Sequence, residues 1–388
     1  MNRRFRPGLP TLSVAGAVAQ APQPLAGTHW PIQSGFLGPD GSLWHWGQDD
    51  YGILGTNDSC HRVPRRLDVV GDWKVVGCEG DQFVGLRRDG SVWGWNGSLR
   101  GHHRVAQLPS RVPEQIAPGT NWSQVCSGSS RFFLLREDGV LFGLGDNRHG
   151  ALGDGTLQQR STVVAVTPGH RWRTVAAGAW TAAGIRTDGT LWGWGEPLGS
   201  VPVQIGGATN WVEVQAAGYL HTARNAAGEV VVWGANANHV AAGATTSPLD
   251  RLTVLPDSGR WQTVWPCDIA MLARDTNGLY WCWGLGLHVP GNSPKDALLP
   301  RPLTVPAAIT AVWPLSADTL AGWSPDGRLW TQGTILGAEC DVPPSELRKM
   351  KLARWLLKAG LRVPRLADWA EIQTHSAEFI PVARFRSR

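Results

Sequence analysis

The side chains that could carry chemistry are easy to enumerate in this 388-residue chain, and their spacing argues against most of it. Eleven His and six Cys could serve metals or nucleophilic catalysis, yet the Cys residues (60, 78, 126, 267, 282 and 340) form no CxxC pair and stand beside no His at zinc spacing. His102 and His103 are adjacent, which does not place two imidazoles on one metal, and His149, His239 and His288 stand alone in polar loops. No Gly-x-Ser-x-Gly elbow, Walker loop or His-Glu-x-x-His occurs. The Gly pairs at 143/145 and 284/286 leave strands instead of opening helices, so they are no phosphate cradle. We therefore expect no catalytic residue, no metal and no cofactor. The residues left for function are polar and aromatic groups suited to contacting another macromolecule: Asp49, Tyr51, His102, His103, Arg148, His149, Trp180, Tyr219, His221, His239 and His288, with Lys351, Arg354 and Lys358 further on.

Composition limits what can position them. With 48 Gly, 27 Pro and 22 Trp against 3 Met, a helical bundle is excluded, because Gly and Pro inside helices cost about 1 and 3 kcal/mol relative to Ala. The 22 indoles are too much apolar surface for a disordered chain. The net charge of +5 suggests an anionic partner until it is divided: residues 1–30 carry three Arg and no acid, and residues 344–388 carry ten bases and four acids. The body between them holds 23 bases and 27 acids, so the basicity lies at the termini, and no specific nucleic acid is expected. Arg3, Arg4 and Arg6, followed by LPTLSVAGAVAQA, imitate a signal peptide with Ala19-Gln20-Ala21 as its cleavage site, but Pro10 and Ser13 interrupt the apolar stretch. A cytoplasmic location is expected, with secretion the alternative.

An internal repeat decides the architecture. Seven segments share a turn pair followed by alternating apolar residues and Gly: Asp40-Gly41-SLWHWG, Asp89-Gly90-SVWGWN, Asp138-Gly139-VLFGLG, Asp188-Gly189-TLWGWG, Ala227-Gly228-EVVVWG, Asn277-Gly278-LYWCWG and Asp326-Gly327-RLWTQG. Successive starts are 49, 49, 50, 39, 50 and 49 residues apart. Sixteen residues before six of the turns stand Trp73, Trp122, Trp172, Trp211, Trp261 and, replacing the Trp, Thr310. Each unit reads as strand A (Trp-x-x-Val), strand B, a tight turn, strand C (Leu-Trp-x-Trp-Gly) and, after a looser connection, strand D. Such a four-stranded sheet has two apolar faces, which packing around an axis would cover.

The expected fold is an all-β, seven-bladed propeller of four-stranded antiparallel blades spanning residues 30–388, preceded by an N-terminal extension over residues 1–29. The cadence of Leu361-RVPRLAD-Trp369 repeats that of Arg62-VPRRL and Asp72-Trp73, so the C-terminal strand, within closing strands at about 361–384, is expected to complete the first blade and close the ring. Residues 344–360 place Leu352, Trp355, Leu356 and Ala359 at helical spacing, which predicts an inserted amphipathic helix carrying Lys351, Arg354 and Lys358. It packs on the propeller, or serves a partner or membrane surface. Antiparallel geometry also sorts the loops: A–B and C–D connections share one face, and Asp-Gly turns and D–A connections share the other. The C–D loops are long and varied, so that face is the expected binding surface, notched at the fourth blade by its short loop.

The repeat resembles that of the regulator of chromosome condensation family in Trp172-RTVAAG with Asp188-GTLWGWG, in Gly218-YLHTA around His221, and in residues 143–156 (GLGDNRHGALGDGT). The resemblance covers about residues 30–340 and 361–375 and implies a seven-bladed propeller. Proteins that resemble it include an exchange factor for a small GTPase, domains of ubiquitin ligases and an inhibitor that clamps β-lactamases, all of which hold another protein. It therefore implies a non-enzymatic, monomeric scaffold with a protein partner. A modulator of another enzyme is the alternative, and a propeller enzyme with an axial site the third reading. Exchange would need a protruding β-wedge with acidic contacts, whereas the insertion here is helical and basic.

Overall fold

The computed structural model describes residues 11–14, 23–24, 33–38, 41–48, 60–67, 72–79, 82–95, 113–166, 169–234, 249–255, 257, 259–267, 270–284, 299–316, 319–325, 328–334 and 375–387. Six sheets in succession are four-stranded, antiparallel and ordered A-B-C-D. Blade 1 comprises Gln23–Pro24, Gln33–Leu37, Leu43–Gln48 and Cys60–Arg66. Blade 2 comprises Trp73–Glu79, Gln82–Arg87, Val92–Trp95 and Glu114–Ala117, and blade 3 comprises Trp122–Gly128, Arg131–Arg136, Leu141–Gly145 and Arg160–Ala165. Blade 4 is Trp172–Ala177, Thr181–Arg186, Leu191–Gly195 and Gly199–Gln204. Blades 5 and 6 follow as Trp211–Ala217, Leu220–Asn225, Val230–Gly234 and Leu249–Val254, then Trp261–Cys267, Ala270–Asp275, Tyr280–Gly284 and Arg301–Pro302.

The end of the chain departs from the sequence reading in two ways. Six sheets, not seven, are four-stranded blades; the last is five-stranded, built from Ala311–Ser316, Thr319–Ser324, Arg328–Thr334, His375–Ser387 and, in parallel with the C-terminal strand, Thr11–Val14. The C-terminal strand also does not complete blade 1. It pairs antiparallel with Arg328–Thr334, with Leu329 opposite Ala383 and Thr331 opposite Ile380, and so supplies the fourth strand of its own sheet. The inner strand of blade 1 is Gln23–Pro24, paired with Leu37 and Phe36. Pro24 has no N–H to donate to the ladder, and this strand lacks the Trp-x-x-Val signature that opens strand A of blades 2 to 6. The ring closes by packing: strands Ala311–Ser316 and His375–Ser387 lie against blade 1. Residues 344–360 and Trp369 lie outside the described residues.

The apolar core is divided among the interfaces between neighbouring blades. Val84, Leu86 and Val92 of blade 2 pack on Trp122, Val125 and Leu134 of blade 3. Phe133 and Leu141 then meet Trp172, Val175 and Trp194, and the sharing continues from blade 4 to 5, 5 to 6 and 6 to the last sheet. Within a blade, the Trp that opens strand A meets the last Trp of strand C: ring centroids lie 5.1 Å apart for Trp73–Trp95, 5.3 Å for Trp172–Trp194 and 5.9 Å for Trp261–Trp283. Gly184 makes room for this pair, since a Cβ there would sit 2.8 Å from the Trp172 ring.

The turn motif is a hydrogen-bond relay. Asp188 Oδ1 accepts from the backbone N–H and the hydroxyl of Thr190 (3.0 and 2.6 Å), and Thr190 Oγ1 accepts from Trp192 Nε1 at 2.7 Å. Asp89, Ser91 and Trp93 repeat the arrangement at 2.9, 2.6 and 2.7 Å. The Thr190 hydroxyl is the main cause holding the Asp188 carboxyl below the usual range. Gly189 takes φ of 82°, and a Cβ there would strike the Thr209 carbonyl that leads into blade 5. Three of these turns also tether the next blade, as Trp122 N donates to Gly90 O (3.2 Å), Trp172 N to Gly139 O (2.8 Å) and Trp211 N to Gly189 O (3.1 Å). Asp-Gly turns and D–A connections thus share a face.

Candidate functional site

The opposite face is stitched by a different set of bonds, which begins at a buried arginine. Arg131 opens strand B of blade 3 and is 0% exposed. Its Nε donates to Asp146 O (3.2 Å) in the C–D loop of its own blade, and its Nη1 donates to Ala179 O (2.7 Å) and Gly178 O (3.3 Å) in the A–B turn of blade 4. Ala179 N in turn donates to Gly218 O in the A–B turn of blade 5, and Glu196 N donates to Trp180 O (3.1 Å). Three blades are therefore joined by main-chain carbonyls whose positions a buried guanidinium fixes.

Over this base the C–D loop of blade 3 is folded on itself. Asn147 Oδ1 accepts from Leu152 N, and Asn147 Nδ2 donates to Asp154 Oδ1 and Thr156 O, each at 2.9 Å. Burial would raise the Asp154 carboxyl, but Thr156 and the paired Arg160 (2.6 Å) outweigh it and hold it low. Burial also opposes ionisation at Asp146, and again the bonds from Arg148, with guanidinium–carboxylate contacts of 2.7 and 2.9 Å, bring its carboxyl below the ordinary range. Trp194 Nε1 donates to Ala151 O (2.9 Å), so the core indole of blade 4 anchors the neighbouring loop.

The product is an aromatic ladder across three blades. The His149 ring stacks on Trp180 with centroids 4.1 Å apart and planes within 5°, and Trp180 meets Tyr219 edge to face at 5.3 Å. His149 Nδ1 lies 2.7 Å from Glu196 Oε2, in the short C–D turn of blade 4. Trp180 and Tyr219 each remain 39% exposed, and Leu198, in the same short turn as Glu196, is also exposed. The order of the rings follows the chain: a C–D loop of blade 3, then A–B turns of blades 4 and 5.

Of the residues singled out from sequence, Arg148, His149, Trp180 and Tyr219 fall on this face, and His149, Trp180 and Tyr219 are in direct ring contact. His221 is different: at 2% exposure it is interior, not a surface contact. Its strand B position turns it between blades, where Nε2 lies 2.8 Å from Thr181 Oγ1 and the ring stacks on Trp233 at 5.1 Å. Burial drives its pKa down to about 4. Asp49, Tyr51, His102, His103, His239, His288, Lys351, Arg354 and Lys358 lie outside the described residues. Sequence reasoning missed Glu196, Arg131 and Asp146. Glu196 directly follows the LWGWG strand, and only the short spacing marks it; Arg131 looks like any strand polar residue. Among the described residues no three His, Cys, Asp or Glu side chains converge on a metal-sized site.

These features define a β-propeller of the kind found in regulator of chromosome condensation structures. Human WBSCR16 superposes with a TM-score of 0.64 at 15% identity, over 77% of this chain and 85% of that one. Yeast RCC1 (Prp20), in its complex with Kap60, gives 0.64 at 16% identity over 76% and 78%. The ectodomain of the Physcomitrella patens receptor kinase CR4 gives 0.52 at 14% identity over 80% and 73%. At these identities the likeness is one of fold. No protein-family model and no curated protein sequence matches the chain.

Proposed function

We propose that this chain is a non-enzymatic scaffold that holds another protein on the face of A–B turns and C–D loops, centred on blades 3 to 5. The observation that carries this reading is the ladder of His149, Trp180 and Tyr219: half-open aromatic rings on a rigid base, the usual make-up of an interface centre. Isolated exposed aromatics need no explanation, but three in contact, supplied by three blades and fixed through buried Arg131, form a preorganised patch. In the structure named above, yeast RCC1 is bound to Kap60, so a protein with this fold has a protein partner there. Modulation of a bound enzyme is a narrower form of the same activity. The test is affinity capture of native partners, quantified by mass spectrometry, with wild type against a Trp180→Ala, Tyr219→Ala double variant. Partners lost by the variant and retained by Leu279→Ala on the Asp-Gly face support the reading; partners retained by both overturn it.

A further inference from the structure

We infer that the surface formed by Trp180 and Glu196 accepts an arginine or lysine side chain of the partner, presented beside an apolar residue. This rests on the docking face proposed above and adds the chemistry of its ligand. The argument is one of charge accounting. Arg148 is paired with Asp146 through several contacts, the closest 2.7 Å, and Arg160 is paired with Asp154 at 2.6 Å, so both cations of the blade 3 loop are already neutralised. Arg131 is fully buried beneath the ladder against main-chain carbonyls, so the exposed charge left beside Trp180 among the described residues is Glu196, whose side chain is 56% exposed. Its partner, His149, cancels that charge only when protonated.

The carboxylate therefore sits at the rim of an aromatic cluster, and aromatic faces beside a carboxylate suit a cation with an apolar stem. The scaffold uses the same pairing internally. The guanidinium carbon of Arg186 lies 3.3 Å from the Trp192 ring centroid, that of Arg260 3.7 Å from Trp281, and that of Arg87 3.8 Å from Trp93. Among the described residues Trp180 is the tryptophan that remains exposed, and no described arginine is stacked on it. Exposed Leu198, in the same short turn as Glu196, offers apolar surface for the neighbouring residue. An acidic or phosphorylated segment would meet Glu196 with like charge.

The test is selection of displayed random dodecapeptides on the immobilised full chain, followed by fluorescence anisotropy with the selected peptides. The expected result is enrichment of a basic residue next to an apolar one. Binding should weaken about tenfold or more in Trp180→Ala, as for an interface anchor. In Glu196→Gln, and with citrulline in place of the peptide's arginine, it should weaken about threefold to tenfold, as for a cation near an aromatic face and one carboxylate. Glu196→Gln is a surface change, so it remains informative if Trp180→Ala does not fold. Peptides that need Trp180 but carry no basic residue overturn this inference and leave the docking face standing. Peptides indifferent to both variants overturn both, and failure to enrich any basic motif overturns the inference.

Discussion

Acidification should find the interior of blade 5 before it finds the surface. His221 is neutral in the folded protein because its ring is sealed between blades, stacked on Trp233, and burial lowers its pKa from 6.5 to about 4. In the unfolded chain the same imidazole titrates normally, so the unfolded state binds the proton first as pH falls. Stability from this residue is therefore complete above pH 6.5 and drains away as pH drops toward the folded value. With 1.36 kcal/mol per pKa unit, the loss is about 2 kcal/mol at pH 5 and about 3 kcal/mol at pH 4. The assay is equilibrium urea unfolding followed by tryptophan fluorescence at several pH values, for wild type and His221→Phe. Phenylalanine keeps the stack on Trp233 and removes the titration, while carboxylate contributions are common to both proteins and cancel in the difference. His221→Phe should be less stable at pH 7, having lost the Thr181 bond, and the gap should narrow or reverse by pH 5. Parallel pH profiles for the two proteins would refute the assignment of a buried neutral histidine.

Other perturbations address the packing and the base of the ladder. Thr190→Val removes the acceptor of Trp192 Nε1 and a donor to Asp188, and should cost about 1 to 2 kcal/mol in urea unfolding. Gly189→Ala should cost more than about 1 kcal/mol, since φ of 82° and the Thr209 carbonyl both oppose a Cβ. Trp172→Ala, which opens a hole between blades 3 and 4, should lower stability by about 3 to 5 kcal/mol. Arg131→Met strands the carbonyls of Ala179 and Asp146 at a cost of about 3 kcal/mol, and acrylamide quenching and hydrogen exchange at residues 178–180 should both rise.

The blades were legible because their signals are local and repeated. Trp-x-x-Val and Asp-Gly-x-Leu-Trp each encode one strand with its turn, and Trp172, Gly184, Gly189 and Trp194 act within one blade or on the next. Hence strand order and the sorting of loops into two faces could be read, and so could the short C–D turn of blade 4 from the 39-residue spacing after Asp188. The end of the chain could not. The similarity of Leu361-RVPRLAD-Trp369 to blade 1 suggested that the C-terminal strand joins that blade, whereas pairing is decided by which edge is open, and the open edge was that of Arg328–Thr334. Pro24 disguised the true inner strand of blade 1. At the face, Trp180 and Tyr219 were readable as loop aromatics. The roles of Glu196 and Arg131 depend on partners 47 and 48 residues away and have no sequence signature. His221 was misplaced because its phase within strand B, which sets it between blades, outweighs its polarity.

Hydroxyl-radical footprinting of the chain alone and with its captured partner tests the docking face most directly. Oxidation of Trp180 and Tyr219 should fall on binding while Leu279, 57% exposed on the Asp-Gly face, stays as reactive as before. Protection of Leu279 with Trp180 and Tyr219 unchanged would contradict the account.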